Sequence, residues 1–275
     1  MSVAVELIGF SLRADGRAVS ASLPSGRVIA LCGRAGAGKT QFLDMLVGRR
    51  QPGSGRLRLF GSTFFYDGAP VPRRLSPLAL AKRFGGKASA DRMTEVLTRL
   101  GLWEDRERPI EVLSSSQRRA ALLVPSLMSD EDNVLTDGGF DGLDPVVRES
   151  AFSYVRQRAQ IGQTWLIATH DLGLAVQADD LIVLRLGSVA YCGSVEAFAT
   201  DREPVVIDVQ TANVPSVRAL VEPFAIDVEE RATGLRFRAR KGQSLAARLL
   251  LQGYGDVRIV TVRQPRVEDQ ILGAL

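Results

Sequence analysis

Gly33-Arg34-Ala35-Gly36-Ala37-Gly38-Lys39-Thr40 follows the short apolar run Val28 to Cys32 and precedes QFLDMLVGRR, where Phe42, Leu43, Leu46 and Val47 recur at helical spacing. The octet fits G-x-x-x-x-G-K-[ST] in full, and the order strand, glycine-rich loop, helix is the context that gives the pattern meaning. Glycines let the main chain turn so that its N–H groups face a row of phosphates. Lys39 then reaches the β and γ phosphates, and Thr40 offers a hydroxyl to Mg²⁺. A glycine turn carrying an ordinary surface lysine is the plainer reading. Lysine occurs only at positions 39, 82, 87 and 241, however, so its place in this slot is hard to assign to chance. The residues predict a nucleotide site over Gly33, Arg34, Ala35, Gly36, Ala37, Gly38, Lys39, Thr40 and Gln41.

Outward from the loop, VAVELIGFSLR and RAVSASLP alternate partially, which predicts an antiparallel sheet edge leading into the buried strand. QPGSGRLRLFGS reads as turn and strand, and residues from about Leu75 to Leu113 are polar and helix-like, with MTEVLTRLGL the clearest helix. From Gln117, QRRAALLVPSLMSD reads as helix and NVLTDGGFDGLDP as a short apolar strand ending in acidic and glycine residues. Arg148 to Gln160 is a further helix, TWLIATHD a second buried strand, and LIVLRLGSVAYCGS a strand pair around Gly187. Buried strands alternating with helices predict an α/β fold built on a mostly parallel, doubly wound sheet. Asp137 ends one strand, where it should face the loop from the neighbouring strand and orient the Mg²⁺ shell. His170, the single histidine, ends another strand at the edge where α/β folds bind ligands.

The composition sets the bounds. With 275 residues, 45% hydrophobic and 24% charged, the chain has material for a large core, and disordered and fibrous classes are excluded. Length favours one large domain with a small one. No run approaches ~18 apolar residues, and the N-terminus lacks a basic flank before a long apolar stretch, so the expectation is a chain neither secreted nor membrane-spanning. Cys32 and Cys192 show no C-x-x-C spacing and read as small buried hydrophobes in a reducing compartment. The net charge of +4 comes mostly from arginine without a basic block, which points to a solvated surface and to no nucleic-acid partner. A weak attraction to anionic lipid stays compatible with it.

Near Thr200 to Pro204 the composition changes, which places a domain boundary there. Domains are expected at 1–200, with a helical subdomain at about 75–128, and at 204–275. In the second, VVIDVQ, PSVRALVE, FAIDVEE, LRFRAR, SLAARLLLQG and VRIVTV read as β-α-β-β-α-β, the ferredoxin-like order, with Ser244 and Gly253 bounding the later helix. Arg236, Arg238 and Arg240 share a face that Asp227 and Glu229 could oppose across the hairpin.

Taken in order, GRAGAGKT, Leu113-Ser114-Ser115-Ser116-Gln117, VLTDGGFDGLDP and WLIATHD resemble the nucleotide-binding subunit of an ABC transporter over about residues 1–200. The tail ending in TVRQPRVEDQILGAL is similar to the extension of ABC-2 exporter ATPases. The resemblance implies a P-loop ATPase fold, ATP and Mg²⁺ as ligands, and a head-to-tail dimer. Each ATP would lie between one P-loop and the partner's signature segment, Ser114, Ser115, Ser116 and Gln117, with Asp144 of the D-loop. Asp137 would end the Walker B strand, His170 would be the switch histidine, and Thr40 with Asp137 would hold the metal. Separate permease subunits would place the chain in the cytoplasm on the inner face of the membrane.

The departures bear on activity. Where the family has a glutamate that polarises the attacking water, this sequence has Gly138. Loss of a positioned base lowers a rate by roughly 10²- to 10⁴-fold. Asp141 and Asp144 lie close in sequence, but Asp144 fits the D-loop and Asp141 is displaced from the slot. No glutamine occurs from Pro52 to Ser116, so Asp67 is nearest to the Q-loop position, and Ser115 and Ser116 replace signature glycines. Phe10 is the nearest aromatic for adenine, and reads better as core. The expectation is an ATP-binding exporter subunit with impaired hydrolysis, pairing with a more complete ATPase chain, a homodimer being the other arrangement. The alternative is an ATP-sensing regulator with this fold and no transport role.

Overall fold

The computed structural model describes residues 2–68, 70–86, 89–201, 205–223, 225–239, 257–263 and 267–274. The chain divides into two compact units, Met1–Val195 with Ala274–Leu275, and Glu196–Gly273.

The first unit is organised by six strands in the order β5 (Thr63–Tyr66), β6 (Asn133–Asp137), β7 (Thr164–Thr169), β3 (Val28–Gly33), β8 (Asp180–Arg185) and β9 (Ser188–Ser194). The first five run parallel and β9 is antiparallel to β8. Every residue of β3 and β7 is buried, as their unbroken apolar runs require of central strands covered on both faces. Strand β5 was not foreseen, because TFFY is short and flanked by Gly61 and Asp67-Gly68.

The N-terminal strands are not an edge of this sheet. β1 (Val3–Ser11), β2 (Val19–Pro24) and β4 (Ser54–Leu59) form a separate antiparallel sheet in the order β2-β1-β4. Helix α1 (Lys39–Leu46) lies between the two sheets. Phe42, Leu43 and Leu46 share one core with Leu7 and Phe10 of β1 and with Leu31, Leu135, Leu166 and Ile182 of the main sheet. Phe10 is fully buried edge-on against Phe42, with ring centroids 5.6 Å apart, so it belongs to the core and not to an adenine site. This arrangement ties α1, and hence the loop before it, to both sheets.

The helical region holds α2 (Pro77–Phe84), α3 (Ala90–Arg99), α4 (Ser115–Ala121) and α5 (Val124–Met128). The single helix expected from Gln117 is two, since Pro125 cannot donate the hydrogen bond that would continue it and instead stands in the first turn of α5. Helix α6 (Pro145–Gln160) starts three residues earlier than its apolar spacing suggested, capped by the Asp144 side chain. Short helices α7 (Leu172–Ala175) and α8 (Val195–Asp201) also escaped the sequence reading.

In the second unit, β11 (Ala225–Arg231), β12 (Gly234–Ala239), β10 (Val205–Thr211) and β13 (Val257–Arg263) form an antiparallel sheet in that spatial order. Helix α9 (Val214–Val221) packs Val217 and Val221 on Ile207, Val209, Leu235 and Phe237, and α10 (Val267–Ala274) ends the described chain. The expected helix from Ser244 to Gly253, and Arg240, lie outside the described residues. Arg238 pairs with Asp227 as anticipated. Arg236 instead meets Asp208 on its other neighbour at 2.7 Å, while Glu229 turns to Arg231 at 2.6 Å.

Candidate functional site: the carboxyl edge of the parallel sheet

Strands β3, β6 and β7 deliver the candidate residues to one edge. In register, Cys32 lies beside Thr169 and Asp137 beside Ala168. The strand ending in Asp137 is therefore not the neighbour of the P-loop strand, as the sequence suggested, because β7 runs between them. Asp137 still reaches across. Its Oδ2 accepts a hydrogen bond from Thr40 Oγ1 at 2.6 Å.

The loop geometry explains its glycines. A Cβ at Gly33 would lie 2.8 Å from Ala37 Cβ and 3.1 Å from Leu184 O, too close for any side chain. Gly36 and Gly38 have φ of +77° and +104°, a region that other L-residues enter at a cost of about 1–2 kcal/mol. Gly38 is also the residue before α1 and offers no side-chain cap, so the first N–H groups of that helix turn toward the loop without a side-chain partner. No acidic residue occupies the first turn of α1. Lys39 Nζ is drawn over the loop, donating to Gly33 O at 2.7 Å and Arg34 O at 3.3 Å. Ala37 is buried, whereas Arg34, Ala35, Gly36, Thr40 and Gln41 are exposed.

Such a set fits a triphosphate and Mg²⁺. The donors are main-chain N–H groups and one ammonium, and glycine main chain leaves room for close approach. One hydroxyl and one carboxylate in contact are what a magnesium ion needs from protein when phosphates and water complete its shell. Among the described residues no cluster of three metal-binding His, Cys, Asp or Glu side chains occurs, and this kind of site requires none.

A second set lies beside it. Gly138, the residue after Asp137, has φ +69°, and its N–H bonds to Ala168 O at 3.1 Å while its O accepts from Asp141 N at 3.1 Å. That turn brings Asp141 to the end of β7. There Oδ1 accepts from Thr169 Oγ1 at 2.5 Å, and Oδ2 lies 2.8 Å from His170 Nδ1. The Asp141 side chain is only 13% exposed, while that of His170 is 72% exposed. In the sequence Asp141 is displaced from the slot of the family's glutamate, and nothing there joins it to His170. The available signal was its position at the end of a glycine-bounded turn, with Thr169 and His170 closing the adjacent strand. Cys32 sits beneath: burial pushes its thiol up to about 12, with Lys39 drawing it down and Asp141 pushing it up. Cys192 is only partly buried, and desolvation likewise pushes its thiol up to about 12.

Other candidates are engaged elsewhere. Ser114 caps α4, its Oγ accepting from Gln117 N at 3.2 Å while Gln117 Oε1 accepts from Ser114 N at 3.1 Å. Gln117 Nε2 donates to Asp105 at 2.6 Å, and Ser115 and Ser116 are exposed. Asp144 Oδ1 accepts from Val146 N at 2.9 Å. Asp67 meets Arg49 at 2.8 Å, and the next residue, Gly68, approaches the main-chain carbonyl of Asp137, its Cβ position being 3.8 Å from that oxygen.

Fold and edge together define a P-loop ATPase domain. A family model described as ABC transporter matches residues 17–140. The chain is 30% identical over 255 residues to the Nod factor export ATP-binding protein I of Ralstonia nicotianae, covering 85% of this chain and 79% of that protein. It is 31% identical over 205 residues to the thiamine import ATP-binding protein ThiQ of Jannaschia sp., covering 67% and 90%. A solved structure of an ATP-binding subunit of an ABC transporter matches at TM-score 0.60 and 19% identity, over 72% of this chain and 92% of that one. The chain belongs to the ABC transporter ATP-binding family and is an ATP-binding subunit of such a transporter. No described helix is long and apolar enough to cross a membrane.

Proposed function

We propose that this subunit binds Mg-ATP through Lys39, Thr40 and Asp137, serves an exporter of the ABC-2 type, and hydrolyses ATP slowly. The observation that carries the reading is the Thr40–Asp137 contact at the mouth of a loop that needs glycine at positions 33, 36 and 38. Magnesium bound by this hydroxyl and carboxylate would offset phosphate charge. Lys39 would exchange two carbonyl partners for phosphate oxygens, a stronger charge-assisted bond.

Slow hydrolysis follows from Gly138. It has no side chain to orient water, and its left-handed backbone disfavours the residues that could supply one. The export reading is supported by the Ralstonia alignment, which spans 85% of this chain, against 67–78% for the importer alignments.

Nucleotide would be gripped in a dimer, one protomer giving residues 33–41 and its partner Ser114 to Gln117 and Asp144. His170 would stand beside the γ phosphate, facing the attacking water. The altered base position and signature together favour a more complete ATPase as partner. Closure would then move membrane permease subunits, with the chain on the cytoplasmic face, since ATP shifts the equilibrium only by binding the closed state better. Co-expression with neighbouring permease and ATPase genes tests this. A membrane complex containing two different ATPase chains is expected, and a symmetrical homodimer free of membrane protein would refute the assembly.

A further inference from the structure

The Gly138 position leaves the attacking water without a carboxylate, yet a carboxylate stands one turn further on. Asp141 itself is poorly placed to take a proton from water: Oδ1 is occupied by the Thr169 hydroxyl and Oδ2 by His170 Nδ1. Thr169 is fixed in turn, since its Oγ1 accepts the N–H of Asp171 at 2.9 Å, and Asp171 caps α7 and pairs with Arg148. Arg119 Nη1 donates to Asp141 O at 2.9 Å from the other side. A carboxylate anchored in this way selects one form of the neutral imidazole. A neutral ring facing an acceptor with Nδ1 must carry its proton there, which leaves Nε2 with a free lone pair.

We propose that Asp141 is a positioning residue that holds His170 as the Nδ1–H tautomer, so that Nε2 takes the proton of the attacking water in place of a side chain at position 138. The proposal rests on the ATP-binding reading above. In the step, the water oxygen bonds to Pγ as Nε2 takes one of its protons. The bond from Pγ to the β–γ bridging oxygen breaks, and its electron pair leaves on ADP. The imidazolium, facing the Asp141 carboxylate, then returns its proton to the released phosphate. The logic is that of a carboxylate-oriented histidine base.

Because His170 is the only histidine, its ring can be read alone. Nitrogen-15 NMR of the full chain at about pH 8, above histidine's ordinary range, is expected to show a protonated Nδ1 and a bare Nε2. In Asp141→Ala the ring should shift to the Nε2–H form that free histidine prefers. The residual ATP turnover should fall about tenfold or more, with Mg-ATP affinity by calorimetry changed less than about twofold. A wild-type ring protonated at Nε2 would overturn the proposal, and so would an Asp141→Ala protein in which tautomer or turnover stays put. Should Asp141→Ala not fold, the wild-type ring still decides. Loss of nucleotide heat in the wild type would instead remove the ATP-binding reading, with the tautomer still reporting the pair.

Discussion

Two stretches of the same sheet edge, a few residues apart, obey different constraints. Around Gly33 to Thr40 and Asp137, every residue type demanded by phosphate and magnesium chemistry is present, and crowding at Gly33 and Gly38 with positive φ at Gly36 and Gly38 enforces the loop. Around Gly138, Asp141 and His170, the water-orienting side chain is absent and a hydrogen-bonded pair stands nearby. The contrast teaches that holding a nucleotide and cleaving it are separable demands on one edge. The first requires main-chain geometry that tolerates few substitutions. The second depends on one correctly placed proton acceptor, which can be lost or moved without disturbing the fold.

The largest expected effect sharpens the binding half. Lys39→Ala should weaken Mg-ATP binding about 10- to 100-fold by calorimetry, the worth of a hydrogen bond to a charged group, with an unchanged circular dichroism spectrum. Asp137→Asn should cost about tenfold for Mg-ATP and much less for metal-free ATP. Equal losses for both would break the assignment of Asp137 to the metal.

On the other half, Gly138→Glu should not restore ordinary turnover and should lower stability by about 1–2 kcal/mol in urea denaturation, because φ at that position is left-handed. A stable, fast enzyme would break the comparison. The smallest effect lies away from the site. The hydrogen bond and charge of the Arg238 guanidinium hold the Asp227 carboxyl below the usual carboxylate range. A carboxyl lowered in the folded state adds stability above its unfolded value and loses it as pH falls through the folded one. Asp227→Asn should therefore cost under about 1 kcal/mol at pH 7, given an exposed pair, and progressively less below pH 4.

Much of the binding half was legible in sequence. The octet at 33–40 has a local meaning, and the unbroken apolar runs before it and at Trp165 to Ala168 announce strands covered on both faces. Strand order was not legible: nothing local in NVLTD says that TWLIAT will lie between it and VIALCG. The Asp141–His170 pair was hidden for the same reason, since it joins residues 29 positions apart through a turn whose direction depends on the backbone of Gly138. Strand β5 and the break at Pro125 were missed because four residues and a single proline leave little periodicity to read.

The decisive measurement follows bound nucleotide and its hydrolysis in one sample, by mixing stoichiometric Mg-ATP with the purified chain and sampling both over time. Retention of about one ATP per chain, cleaved at least roughly 100-fold more slowly than by a relative carrying glutamate at the position of Gly138, is the predicted result. No retained nucleotide, or cleavage as fast as that relative's, would contradict it.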